Sequence, residues 1–306
     1  MGMSNERQHA VSGQRLFWTI VLNAIITIAE FVAGLISGYL ALTADAVHNL
    51  SDVAALVLAW LGVKGSQLPA TKRSTYGFKR IEVMTAFFSA VSLVVIALFI
   101  VWEAYKRFLH PVSLSMPLLF LTVAAIGLAG NLASVALLLR EKDKSLNLRT
   151  AFLHMAYDAL SSAVVLIGGV VILLTGWTVI DPVLSVAIAL MIFWSSYLVI
   201  KEAVMILMEA VPAGISFDEV HRAIKAVPGV FSVHDLHIWS LSSYENALSC
   251  HVCLREDQYS QGARVMVEID RLMRDQFGIG HSTIQIEAEG CERSDLLCQP
   301  NNHEPE

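Results

Sequence analysis

The chain has 306 residues, 55% of them hydrophobic and 16% charged, with a mean hydropathy of +0.59. A balance this apolar excludes an ordinary water-soluble protein and points to lipid as one of its solvents. Residues 1–211 carry 14 Lys or Arg against 12 Asp or Glu, whereas residues 212–306 carry 7 against 15. The C-terminal part is therefore acidic; it attracts cations and repels phosphates, which argues against a nucleic-acid partner.

Residues 1–15 are polar and lack the apolar core and small-residue cleavage site of a cleaved signal peptide, so they form a segment ahead of the first span. Crossing about 30 Å of hydrocarbon takes about 20 apolar helical residues. Six segments meet that length, at 16–37, 41–63, 82–105, 117–139, 152–175 and 179–200, within a membrane domain of 16–211. Glu30, Asp45, Asp52 and Asp158 interrupt these runs without ending them. Lys64, Lys72, Arg73, Lys79 and Arg80 lie between spans two and three, and Arg140, Lys142, Lys144 and Arg149 between four and five. The one-to-two and five-to-six links carry no Lys or Arg, and only Lys106 and Arg107 lie near the three-to-four link. Basic residues mark the cytoplasmic side, so both termini are expected there.

Beyond Pro212 the texture changes to that of a small α+β domain, residues 212–290, followed by a polar tail, 291–306. Ser216 with Glu219 reads as a capping box opening a helix with Val220, Ile224 and Val227 on one face, ended by Pro228 and Gly229. A second helix is predicted over 261–277, and strands over 230–241, 247–255 and 283–288. Alternation puts Leu248, Cys250, Val252 and Leu254 on one face, with His251 and Glu287 on polar faces; His234 falls with Leu236 and Ile238, which leaves it open between a packed core histidine and a metal ligand. All four cysteines lie in this part, where reduced thiols and no disulfides are expected. Cys250 and Cys253, three apart on a strand, point to opposite faces and suit burial better than chelation.

Two pentads carry the chemistry: His48-Asn49-Leu50-Ser51-Asp52 in span two and His154-Met155-Ala156-Tyr157-Asp158 in span five. Residues four apart on a helix share a face, about 5–6 Å between Cβ atoms. Each span thus presents one imidazole and one carboxylate, and two facing spans supply two nitrogens and two oxygens. That set suits Zn²⁺, Cd²⁺ or Co²⁺ over Mg²⁺ or Ca²⁺, which take oxygen shells of six or more. Ordinary interhelical hydrogen bonding accounts for such a set poorly, since each carboxylate at membrane depth costs at least about 2.5–3.5 kcal/mol. Asp45, three residues before His48, either lines the entry path or donates a ligand in one conformation, or sits partly hydrated at the helix mouth; the last is expected. Glu30 and Asn131 are further candidates for a polar path, with interhelical hydrogen bonding their expected role.

The segments LTADAVHNLSD, YGFKRIE, HMAYD, VHDLHIWSL and HSTIQIE together resemble the cation diffusion facilitator family, and most closely its zinc-exporting branch, over nearly the whole chain. The resemblance implies a Y-shaped homodimer with six transmembrane helices per protomer and a metallochaperone-like αββαβ cytoplasmic domain. It implies alternating-access transport of Zn²⁺ against protons, with His48, Asp52, His154 and Asp158 as the transport site. It also implies regulatory zinc in the cytoplasmic domain, with His234, His251 and Glu287 as candidate ligands and His237 and His281 close by. Cys291 and Cys298 are further candidates, as in some relatives. Arg80 and Glu209 fall near positions that form a membrane-surface salt bridge between protomers in relatives. Two departures stand out: the four-to-five loop, Arg140-Glu141-Lys142-Asp143-Lys144, has no histidine, and the link at 67–72 lacks the Asp and His of an extra bacterial site. A bacterial inner membrane is the expected location. An intramembrane metalloenzyme fits less well, because four protein ligands leave no open position and there is no H-E-x-x-H. A non-transporting sensor built on the tail leaves the intramembrane pairs unexplained.

Overall fold

The computed structural model describes residues 24–66, 68–111, 115–139 and 146–288; a few side chains within the helices, those of Asp52 and His154 among them, lie outside the described set. The chain forms two compact units, residues 1–58 with 88–198 and residues 59–87 with 199–306. Segments 1–15 and 291–306 and the four-to-five loop fall outside the described residues.

Helix α1 spans Ala24–Ser37, α2 Leu40–Ser66, α3 Arg80–Leu109, α4 Pro117–Leu139, α5 Leu146–Thr175 and α6 Ile180–Leu207. Four of these, α3 to α6, contain described stretches long and apolar enough to cross a membrane; the described part of α1 is shorter. In the first unit, Tyr39, Leu42, Phe120, Val165, Ile188 and Ile192 are buried in one cluster. Val95, Phe99, Trp102, Leu118, Leu174 and Trp194 are exposed, as suits helices solvated by hydrocarbon. Several helices outrun their apolar stretches: α2 and α3 end beyond 63 and 105, α5 starts at Leu146 instead of 152, and α6 reaches Leu207. Backbone hydrogen bonding continues past the bilayer edge, and a long basic side chain such as that of Lys106, half exposed, extends to water from there.

The start of α2 is held by a residue 140 positions away. Asp181, 3% exposed, accepts from the backbone N–H groups of Leu40 (3.2 Å) and Ala41 (2.8 Å) and pairs with Arg107 Nη1 at 3.1 Å. These are orphan donors of a first helical turn, satisfied by a carboxylate from another helix. That fixes α2, and with it the pentad two turns further along.

In the second unit the order is α7 (Phe217–Lys225), β1 (Val230–Ser240), β2 (Asn246–Leu254), a 3₁₀ turn, α8 (Gly262–Phe277) and β3 (Ile279–Ala288). This is the expected αββαβ succession. Ser216 caps α7 by accepting from the N–H of Glu219 at 3.4 Å, and Gly278, at φ 64°, ends α8 in the left-handed region. The sheet runs β1-β2-β3, with β1 antiparallel and β3 parallel to β2. Val220 and Ile224 of α7 and Val265, Ile269 and Met273 of α8 pack on Leu236, Ile238, Leu248, Cys250 and Val252. β3 begins at Ile279, earlier than the 283 read from alternation, because Ile279 pairs with Asn246 and is fully buried.

Two candidate metal centres

The intramembrane centre is built where α2 and α5 meet. His48 Nε2 lies 3.7 Å from Asp158 Oδ1, with side-chain exposures of 16% and 6%. The imidazole of one pentad thus reaches the carboxylate of the other. Asp52 and His154 sit on the same two helices, one turn beyond His48 and one turn before Asp158; their side chains lie outside the described residues. A nitrogen and a carboxylate oxygen at this separation form a pair that a small divalent ion bridges after a slight contraction, since Zn–N and Zn–O bonds are about 2.0–2.2 Å.

Behind this pair runs a buried polar layer. Asp45, 1% exposed, accepts hydrogen bonds from both Ser161 and Ser162 of α5, the latter at 2.9 Å. The expectation of a partly hydrated position at the helix mouth is therefore corrected: serine hydroxyls take the place of water around this carboxylate. Ser162 also receives the amide of Asn131 from α4 at 3.0 Å, which is interhelical hydrogen bonding of the expected kind. Glu30 of α1, 1% exposed, lies within reach of the Asn49 side chain, next to His48 in sequence.

The second centre lies on the sheet face turned away from the hydrophobic core. The ligand atoms of His234, His251 and Glu287 fall within 4.8 Å of one another. His251 Nδ1 is 2.8 Å from Glu287 Oε1, His234 Nε2 is 3.4 Å from Glu287 Oε2, and the two rings meet edge-on at 5.2 Å. His234, 4% exposed, shares its face with the cross-strand His251 and not with Leu236. The β1–β2 register shifts between His234 and His237, and Asp235 takes φ 50°. This bulge breaks the alternation, so Leu236 enters the core while His234 stays on the face of its cross-strand partner His251. The same bulge aims Asp235 at both remaining histidines, 3.6 Å from His251 Nε2 and 3.1 Å from His237 Nε2. Asp235 is the residue that strand alternation missed. Asp235 lies on the Nε2 side of His251, opposite the Nδ1 that faces Glu287, so the donors that can close on one ion are His234, His251 and Glu287, a set of the kind zinc takes, with Asp235 orienting the His251 ring.

The other candidates separate from these centres. His237, 48% exposed in its side chain, touches the cluster only through Asp235, and His281 packs against Tyr76 at 5.6 Å. Cys250 is free and buried among apolar residues, and burial pushes its thiol up to about 12, which keeps it from acting as a thiolate ligand. Cys253 faces the other way, its sulfur 3.7 Å from His234 Nδ1. Cys291 and Cys298 lie outside the described residues. Arg80 Nη2 and Glu209 Oε1 pair at 2.7 Å within one chain.

A six-helix membrane domain with a histidine–carboxylate pair between two helices, joined to an αββαβ domain with its own ligand cluster, defines a membrane transporter of metal cations. Residues 16–208 match the cation efflux transmembrane domain and residues 212–289 the cation efflux protein cytoplasmic domain. The chain belongs to this cation efflux family; it is a transporter and not an enzyme, and its C-terminal domain is of the family's dimer-forming type. It is 35% identical over 296 residues to the metal cation efflux system protein CzcD of Cupriavidus metallidurans, covering 96% of this chain and 93% of that protein. It is 34% identical to a cadmium, cobalt and zinc/H(+)-K(+) antiporter of Bacillus velezensis, covering 99% and 98%, and 35% identical to the zinc transporter ZitB of Shigella flexneri, covering 93% and 90%.

Proposed function

We propose that this protein exports Zn²⁺, with Cd²⁺, Co²⁺ and Ni²⁺ as related substrates, from the cytoplasm in exchange for protons by alternating access. The approach of His48 to Asp158 across α2 and α5 carries the reading, because it joins the two pentads into one candidate site. His48, Asp52, His154 and Asp158 hold the ion. A histidine ordinarily titrates near pH 6.5, and metal binding needs its neutral ring, so protons arriving from outside displace the ion and the inward proton gradient drives outward metal. The names of the relatives, zinc carriers and a proton-exchanging antiporter among them, support this choice of ions.

In this reading residues 1–15 and the tail from 291 are cytoplasmic and 16–211 cross a bacterial inner membrane. The domain at 212–290 pairs two protomers, with Arg80 and Glu209 at the membrane surface. The cluster of His234, His251 and Glu287 binds a regulatory zinc ion, with Asp235 orienting the His251 ring from its other nitrogen. The test is zinc accumulation by everted vesicles driven by a pH gradient. His154→Ala abolishes it on this account, and proton-coupled accumulation retained in that variant contradicts the assignment.

A further inference from the structure

Glu30 is a buried ionisable group that the four-ligand exchange does not use. It is 1% exposed, and among the described residues its Oε1 has no hydrogen-bond partner; neither has Oγ1 of Thr27, one turn earlier and equally buried. Oε1 occupies the space that a Cβ on Gly127 of α4 would need, so the carboxyl is pressed against bare backbone. That close approach to the Gly127 backbone leaves little space beside the oxygen on its α4 side. Only one cation adds to that oxygen without occupying space, and that is a proton.

The surroundings offer that oxygen little. A carboxylate oxygen buried without a donor is among the costliest groups a protein can hold. The titratable group facing Glu30 is Asp45 of α2, a second carboxyl, itself flanked by His48; α4 presents Gly127. Asn49 touches Glu30 and adjoins His48 in the chain, which gives the acid a short mechanical and electrostatic route to the metal site.

Resting on the exchange reading above, we propose that Glu30 carries one of the counter-transported protons. The acid holds its proton in the packing described here and gives it up to water when alternating access opens the α1–α4 contact, so that proton uptake and release accompany each metal cycle. Intramembrane acids of this kind are the usual carriers in proton-coupled transporters.

The test uses the full chain in liposomes and the nearly isosteric variant Glu30→Gln, which mimics the protonated acid. Two quantities are read with Zn²⁺ alone: protons moved per zinc, and zinc–zinc exchange without a pH gradient. The expected result is a proton count lower by about one, the proton a single carboxyl can carry, with zinc–zinc exchange kept within about twofold. Glu30→Asp, which retains an acid, restores the count and guards against a folding defect in the first variant. An unchanged count in Glu30→Gln overturns the proposal, as does loss of zinc–zinc exchange with folding intact, which would place Glu30 in the metal site. Zinc flux without any proton movement in the unmodified protein would overturn the exchange reading itself, a separate outcome.

Discussion

The two ligand clusters use the same residue types and are assembled in opposite ways. Between α2 and α5 the chain relies on helix periodicity: a histidine and an aspartate four apart on each helix, with the helices packed so that His48 reaches Asp158. On the sheet it relies on an irregularity, a bulge that turns Asp235 into a left-handed conformation and sets His234 beside His251. The first cluster is buried, and its neighbours Asp45, Asn131 and Ser162 form a continuous polar layer. The second is half-open to solvent, with His251 and Glu287 30% and 25% exposed in their side chains. On the proposed reading, a site that holds an ion out of water and releases it to either side suits the first arrangement, and a site that samples the cytoplasmic metal concentration suits the second.

Perturbing each cluster sharpens that contrast. Asp158→Ala removes a ligand from the buried site and is expected to lower zinc flux by about 100-fold, read as zinc-dependent proton movement in liposomes; flux within a few-fold of the unmodified protein would remove Asp158 from the site. Glu287→Ala is expected to weaken zinc binding at the sheet cluster by about 10- to 100-fold while leaving flux at saturating zinc within a few-fold. The check is calorimetric titration paired with transport, and a collapse of flux would mean that the two clusters act as one. Replacing Ser161 and Ser162 together with alanine leaves the Asp45 carboxyl without its two donors. That is expected to cost about 1–3 kcal/mol for the stranded group, seen as a lower thermal midpoint in detergent. Ser216→Ala, remote from both clusters, is expected to cost about 1 kcal/mol through loss of the α7 cap, seen as faster hydrogen exchange in α7 with no change in flux.

The same contrast explains what the sequence could reveal. The pentads were legible because helix spacing is a local rule, and so were the Ser216 cap and the buried faces of β2 and α8. The role of Asp235 was not, since a one-residue bulge shifts every later side chain and leaves no signature in the alternation. Nor was Asp181, whose capping of α2 depends on the packing of helices 140 positions apart. The burial of Asp45 depends on two serines of α5, which composition does not single out. Helix ends were misjudged for a simpler reason: the apolar run reports the thickness of the bilayer, and the helix does not stop there.

The central claim is that one buried histidine–aspartate site exchanges zinc for protons. The most direct test is proton flux across liposomes holding the full chain, started with Zn²⁺ or Mg²⁺, for the unmodified protein and Asp158→Ala. The account predicts flux with Zn²⁺, none with Mg²⁺, and its loss in the variant. Equal flux with both metals, or zinc-driven flux that survives Asp158→Ala, would contradict it.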